Sequence, residues 1–353
     1  MKQNYKEEEK IYLNPVGLAN LSRYQRINNY KSFKKASLFN SCYMNASIQC
    51  LFRIDGFVKK IIQANEGSLV LATKKLIYDM QKPNNNYNQC SVLDIKKAMG
   101  EKNEKYNDEF QEDANEFITN YLNYLIEETR DFANKIDWIC KKGDEEFFNK
   151  FYRKFFKRNG TSFIIDLFYG VIRTEYYCKK CKGIFNIKFS SFNILEIPVI
   201  EQYSFENNEP LNVQNLIENF ISEKDDMDEI CSKCRTTVKM KTNINSLPKC
   251  LIIYFNKEEY QKTNNIDIPK TIDMKNYVYD KSLIKDNDCY YNLKGIIFYS
   301  NYTSKVGHYK AACLVNNTDN EKWYYFDDNN VKTDKNLLRI YDDENPYLLF
   351  YEK

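Results

Sequence analysis

One histidine among 353 residues narrows the chemistry at once, because any reaction that needs an imidazole near neutral pH must use His308. Of the eleven cysteines, five stand in patterns that suggest a task. Cys42 follows the polar pair Asn40 and Ser41 and opens a segment in which Met44, Ile48, Leu51 and Phe52 recur at the 3.6-residue period of a helix. With Asn40 or Ser41 as cap, Cys42 falls in the first turn, where unpaired backbone N–H groups and the positive helix end favour thiolate over thiol. A cysteine there can simply pack; beside a base it becomes a nucleophile.

His308 lies in VGHYKAACLVN. Strand alternation puts His308, Lys310, Ala312 and Leu314 on one face and Tyr309, Ala311, Cys313 and Val315 on the other. The loop NTDNEK then leads to WYYFDDNNV, and the hairpin so formed brings Asp327 or Asp328 level with His308 at its open end. An acid in that place accepts the Nδ1 proton, holds the ring and leaves Nε2 to face a thiol. A surface histidine beside a turn aspartate is the plainer reading, but no second imidazole competes for the role of base.

The other four patterned cysteines form CKKC (178–181) and CSKC (231–234), either side of a long polar spacer. Two such knuckles complete the tetrahedral sulfur set that zinc favours, with Cys178, Cys181, Cys231 and Cys234 as ligands. Two unrelated reduced pairs, or a redox-active pair, are the alternatives; the matching gaps and the lack of a βαβ context argue against redox chemistry. Four thiolates leave no coordination position for water, so such a metal is structural. Cys50, Cys90, Cys140, Cys250, Cys289 and Cys313 are scattered in apolar or mixed surroundings and are expected to pack as small hydrophobes.

The elements that must position these residues divide along the chain. Residues 1–35 read as an irregular arm. From about 36 to 165 the periodicity is helical, with Ala114, Phe117, Ile118, Tyr121, Leu122 and Leu125 marking a second strong helix between Gln111 and Glu127. From about 166 the pattern turns to strands, with runs at 250–255, 291–299, 307–315, 323–326 and 347–351 and one short helix near 213–220. Helices first and strands after is an α+β arrangement. The net charge of +3 gives no field that would draw nucleic acid or an anionic membrane, and ten glycines supply no phosphate-binding loop. MKQNYKEEEK is too polar for a secretory signal, and no apolar run approaches the length of a membrane helix. The expectation is an intracellular protein, cytoplasmic or nuclear, whose oligomeric state the sequence leaves open and for which a monomer suffices.

Taken in order, these segments resemble the ubiquitin-specific protease family of cysteine deubiquitinases, from about Ser37 to Phe350. NSCYMNASIQCLF is similar to the family's cysteine box GNTCYMNSxLQxLF, and QEDANEF at 111–117 to its QQDAxEF segment. LFYG at 167–170, CKKC and CSKC follow in family order; NSLPKCLIIYF matches LPxxLxIxLxRF in part; YNLKGIIFY, GHYKAAC and WYYFDD resemble the histidine box. The resemblance implies a papain-like hand: a helical thumb at about 36–165, zinc-bearing β fingers at about 166–245 and a β palm at about 246–353. It implies Cys42 as nucleophile, His308 as general base, Asp327 as orienting acid with Asp328 auxiliary, and hydrolysis of isopeptide or peptide bonds after the terminal glycine of ubiquitin. Ubiquitin and ubiquitinated proteins are the implied partners.

Two departures bear on rate. The family asparagine five residues before the nucleophile, an oxyanion donor, is Ser37 here, and the glycine three before it is Phe39. Serine is a shorter donor, and losing one such donor costs about 10²- to 10³-fold in rate. A catalytically weak ubiquitin-binding or scaffolding module of the same fold is therefore the competing reading, with a protease for a ubiquitin-like modifier as a third.

Overall fold

The computed structural model describes residues 11–20, 40–65, 67–82, 89–199, 211–255, 266–283, 286–303, 306–317, 320–333 and 345–353. The first part of the chain is helical: α1 (Cys42–Leu51), α2 (Asp55–Gln63), α3 (Ser68–Gln81), α4 (Leu93–Lys102), α5 (Ala114–Thr129), α6 (Glu145–Asn159) and α7 (Phe163–Phe168), with α8 (Val213–Ile221) standing apart later in the chain. All ten residues of α1 are buried, as suits a helix enclosed on every side. It packs on α5 and on the strands that carry the histidine. No described helix is long and apolar enough to cross a membrane.

Two short strands, β1 (Gly17–Leu18) and β2 (Gln89–Cys90), pair in parallel. The main strands follow as β3 (Gly170–Cys178), β4 (Gly183–Phe192), β5 (Leu195–Ile197), β6 (Leu211–Asn212), β7 (Glu223–Ile230), β8 (Thr237–Ser246), β9 (Cys250–Phe255), β10 (Ile266–Asp267) and β11 (Thr271–Asp273). Last come β12 (Tyr290–Thr303), β13 (Val306–Asn317), β14 (Asn320–Asp327), β15 (Asn330–Thr333) and β16 (Pro346–Glu352). One sheet runs β15-β14-β13-β12-β16-β9-β5, with β11 also on β12; a second runs β4-β3-β8-β7. The expected strand runs all fall within observed strands, because each alternates between two buried faces. Tyr309, Ala311, Cys313 and Val315 join the core around α1, whereas Ala312 joins a second core with Ile296, Phe298 and Leu349 on the opposite face. That is the two-sided alternation expected of β13.

One local expectation needs correction, and one segment is placed by distant contacts. Ser41 is the N-cap of α1 but its side chain makes no capping hydrogen bond, and Asn40, at φ 53°, sends its amide to the Glu109 carbonyl at 2.7 Å instead. The described part of the amino-terminal arm is irregular apart from β1, yet it is docked: Leu13 and Leu18 are buried in the main core, and Leu18 N–H donates to the Asp328 carbonyl at 3.0 Å. Apolar residues too few to show a period were placed by pairing with distant backbone, which local pattern does not reveal.

Candidate active site and cysteine cluster

Helix α1 packs on strand β13, and the two bring together the groups expected to react. Cys42 is the first residue of α1 and is 2% exposed. His308, near the start of β13, lies beyond the last β13–β14 pair, Ala311 with Phe326, so its ring stands at the open end of the hairpin. The ring is within hydrogen-bonding reach of the Cys42 sulfur. Asp327 closes β14 and places Oδ1 2.6 Å from His308 Nε2. This reverses the expected nitrogens: the acid takes Nε2, and Nδ1 is left for the thiol. Register explains why both acid and ring meet, since continuing the β13–β14 ladder sets Asp327 opposite Lys310, on the same strand face as His308.

The electrostatics agree with an imidazole held as a cation. Burial pushes the ring's pKa down, but the hydrogen bonds to Asp327 and Cys42 and the charges of Cys42 and Asp328 outweigh it, raising the value from 6.5 to about 10. Asp327 is held below the usual carboxylate range, chiefly by its hydrogen bond to His308. Asp328 differs from its neighbour. Its carboxylate is 3.9 Å from Nε2, and burial pushes its pKa up. It accepts Asn20 Nδ2 and Asn45 Nδ2, each at 2.8 Å, so it ties the arm and α1 to the histidine hairpin.

Ser37 and Phe39 lie outside the described residues. A side-chain amide that reaches the backbone at the start of α1 is that of Asn20, whose Oδ1 accepts the Ser41 N–H at 3.2 Å while Nδ2 reaches Asp328. Counting back a fixed number of residues from Cys42 missed it, because Asn20 precedes Ser41 by 21 positions. Gln111 was also passed over as a site residue. It precedes α5, whose N-cap Asp113 accepts from Asn115 and Glu116 N–H, and its Nε2 donates to Cys42 Sγ at 3.0 Å.

At the far end of the four-stranded sheet, the two CxxC knuckles meet. Cys178 and Cys234 sulfurs are 3.4 Å apart, those of Cys181 and Cys231 3.8 Å, and all four lie within 4.8 Å of one another. The tetrahedron of 2.3 Å metal–sulfur bonds has edges of about 3.8 Å, so the cluster has the size of such a site. Each knuckle turns through a left-handed residue directly after its second cysteine, Lys182 at φ 51° and Arg235 at φ 59°. The Thr236 hydroxyl lies within hydrogen-bonding distance of both Cys178 and Cys234, and its bond, together with that of the Cys181 N–H, pulls the Cys178 thiol down to about 6. These residues could hold a metal ion.

The chain matches the family model described as ubiquitin carboxyl-terminal hydrolase over residues 34–351. Among curated relatives, it is 27% identical over 342 residues to ubiquitin carboxyl-terminal hydrolase Usp2 of Drosophila melanogaster, covering 89% of this chain and 34% of the relative. It is 25% identical over 358 residues to ubiquitin carboxyl-terminal hydrolase 4 of Vanderwaltozyma polyspora, covering 89% of this chain and 40% of that protein. The chain thus spans little more than a third of these relatives. In fold it is similar to a chain of the SAGA DUB module of Ubp8, Sgf11, Sus1 and Sgf73 bound to monoubiquitin, with TM-score 0.68, 18% identity, and coverage of 96% of this chain and 68% of that one. The same module bound to ubiquitin aldehyde gives TM-score 0.68 at 17% identity, covering 98% of this chain and 70% of the other.

Proposed function

Because the chain belongs to the ubiquitin carboxyl-terminal hydrolase family, we propose that it is a thiol-dependent deubiquitinase that cleaves isopeptide or peptide bonds after the terminal glycine of ubiquitin. The observation that carries this reading is the Cys42–His308–Asp327 set, with the ring's Nε2 2.6 Å from the acid and the sulfur hydrogen-bonded to the same ring. In the acylation step the Cys42 thiolate attacks the glycine carbonyl carbon, and the imidazolium, oriented by Asp327, protonates the departing amine. Water deprotonated by the same ring then attacks the thioester, and the thiol leaves as the carboxylate forms.

Charge appears on the carbonyl oxygen near the start of α1. We assign the Cys42 backbone N–H and the Asn20 amide as its donors, in place of Ser37: an amide has two N–H donors, and Asn20 is fixed at this helix end by Ser41 and Asp328. The Asn20 amide at the helix end supports the enzyme reading over the weak-binding module.

For the cysteine cluster we propose a structural zinc held by Cys178, Cys181, Cys231 and Cys234. The sulfur spacings support it, and bound zinc would fix the tip of the β4-β3-β8-β7 sheet, where the body of ubiquitin would rest. Hydrolysis of ubiquitin carrying a C-terminal aminocoumarin, by wild type and Cys42→Ala side by side, tests the main reading. Turnover by wild type that the variant abolishes supports it; absence of turnover by wild type, with the fold intact, refutes it.

A further inference from the structure

Gln111 does something the reaction scheme above does not use. Its Nε2 lies 3.0 Å from Cys42 Sγ and 2.6 Å from the Gly307 carbonyl oxygen, while its Oε1 accepts the Gly307 N–H at 3.2 Å. Both backbone groups of Gly307 are therefore satisfied by one carboxamide, in the manner of a neighbouring strand residue. Topology leaves room for this. Gly307 pairs with Asn301 of β12 on one side, and on the other the β14 ladder ends at Ala311 with Phe326, so among the described residues no strand pairs with Gly307 on the side of Cys42. On its side-chain face, Gly307 is closed in by Tyr299: a Cβ there would lie 2.1 Å from the tyrosine hydroxyl.

An extended peptide whose carbonyl carbon is to reach Cys42 Sγ must thread the same point, because one nitrogen now touches both the sulfur and the Gly307 oxygen. We propose that the Gln111 carboxamide stands in for one residue of an extended substrate tail, caps the nucleophile in the free protein, and is displaced from Gly307 when the tail adds to this edge. The proposal rests on the deubiquitinase reading for the identity of the tail, though not for the cap itself. The loop that carries Gln111 is pinned on both sides. Lys96 Nζ donates to the Asp108 carbonyl at 2.9 Å, Asn40 Nδ2 to that of Glu109 at 2.7 Å, and Asp113 accepts the Tyr347 hydroxyl at 2.5 Å. The exchange thus calls for rotation of one side chain with the loop in place, and only a ligand residue offering its own N–H and C=O replaces what Gly307 gives up.

The test compares Gln111→Ala and Gln111→Met with wild type in two assays, alkylation of Cys42 by chloroacetamide and steady-state hydrolysis of ubiquitin–aminocoumarin. Two exchanged neutral hydrogen bonds set the scale, so alkylation should quicken about 3- to 10-fold and KM should fall by a similar factor, with kcat little changed. Methionine keeps the length of the side chain without its polar atoms and should behave as alanine does; a methionine variant with wild-type KM would overturn the hydrogen-bonded cap. So would a fall in kcat at unchanged KM, which would make Gln111 a transition-state donor, or no change in either assay. Faster alkylation of both variants with no ubiquitin cleavage by any form would keep the cap and remove the deubiquitinase reading. Cleavage by wild type with neither quantity moved in the variants would do the reverse.

Discussion

Replacing Asp327 by alanine should move the alkaline limit of the reaction as well as lower its rate. Burial disfavours the His308 cation, yet its pKa stands at about 10, and the hydrogen bond to Asp327 is the largest of the interactions that raise it. A hydrogen bond to a charged group is worth roughly 1.5–3 kcal/mol, or about 1–2 pKa units. The Asp327 side chain is 38% exposed, so solvent screening favours the lower end, about one unit. Because the imidazolium must protonate the leaving amine, kcat/KM for ubiquitin–aminocoumarin should bend down near pH 10 in wild type and about one unit lower in Asp327→Ala. Stability follows the same sign. His308 has a raised folded pKa, so its contribution is complete below 6.5 and is lost as pH rises through about 10. Asp327 has a depressed one, so its contribution is present above 3.8 and is lost as pH falls below that. The melting-temperature advantage of wild type over Asp327→Ala should therefore be greatest between about pH 4 and 6.5 and shrink toward both extremes. An alkaline limb that stays in place in Asp327→Ala, or that Asp328→Ala shifts equally, would refute the assignment of Asp327 as the orienting acid.

Asn20→Ala should lower kcat about 10²- to 10³-fold with a much smaller change in KM, whereas Ser37→Ala should leave kcat within about 3-fold; steady-state kinetics on the two variants decides which side chain serves the oxyanion. Asp328→Ala strips acceptors from Asn20 and Asn45 inside the protein, so it should destabilise the fold by about 1–3 kcal/mol in denaturant titration while moving the alkaline limb little. Metal analysis of protein purified without chelator should find about one zinc per chain. Cys231→Ser should raise KM for the ubiquitin substrate several-fold, yet leave the alkylation rate of Cys42 unchanged, because the cluster sits at the far end of a separate sheet.

What the sequence revealed was whatever depended on period or on fixed local spacing. Helix α1 announced itself by four apolar residues in step, β13 by its alternation, and the knuckles by two equal CxxC gaps. The acidic pair came with them, since a hairpin fixes its own register, but that register left Asp327 and Asp328 open, and it is the fold that sets Asp327 at 2.6 Å from His308 Nε2. Contacts between segments with no spacing rule stayed hidden. Nothing local says that Asn20 will reach Ser41 and Asp328, because those distances along the chain, 21 and 308 positions, are set by the completed fold. The ring nitrogens were misassigned for a related reason: hairpin register decides which carboxylate is near, but the direction from which α1 approaches decides which nitrogen is left for sulfur. Gln111 lay in a segment already singled out, yet its place in the approach to α5 read as a helix lead-in, and its partner Gly307 is 196 positions away.

Backbone strain marks the joints of the site. Among the described residues, the four non-glycine positions with positive φ are Asn40, Lys182, Arg235 and Asp328. Two turn the CxxC knuckles, one precedes the cap of the helix that carries Cys42, and one follows Asp327. Left-handed backbone costs a non-glycine residue of order 1 kcal/mol or more, and asparagine and aspartate bear it best because their short polar side chains find local partners. Here the partners are specific: the Asn40 amide anchors the Gln111 loop at Glu109, and the Asp328 carboxylate gathers Asn20 and Asn45. Asn40 and Asp328 thus each turn the chain next to Cys42 or His308 and hold another segment in place with their side chains. Cys42, His308, Asp327 and Asn20, to which the proposed reaction gives the roles of nucleophile, base, acid and oxyanion donor, come from four separate stretches of sequence, and Asn40 and Asp328 couple their positions, so the geometry that the proposal needs forms only when the arm, α1, the Gln111 loop and the histidine hairpin have all docked.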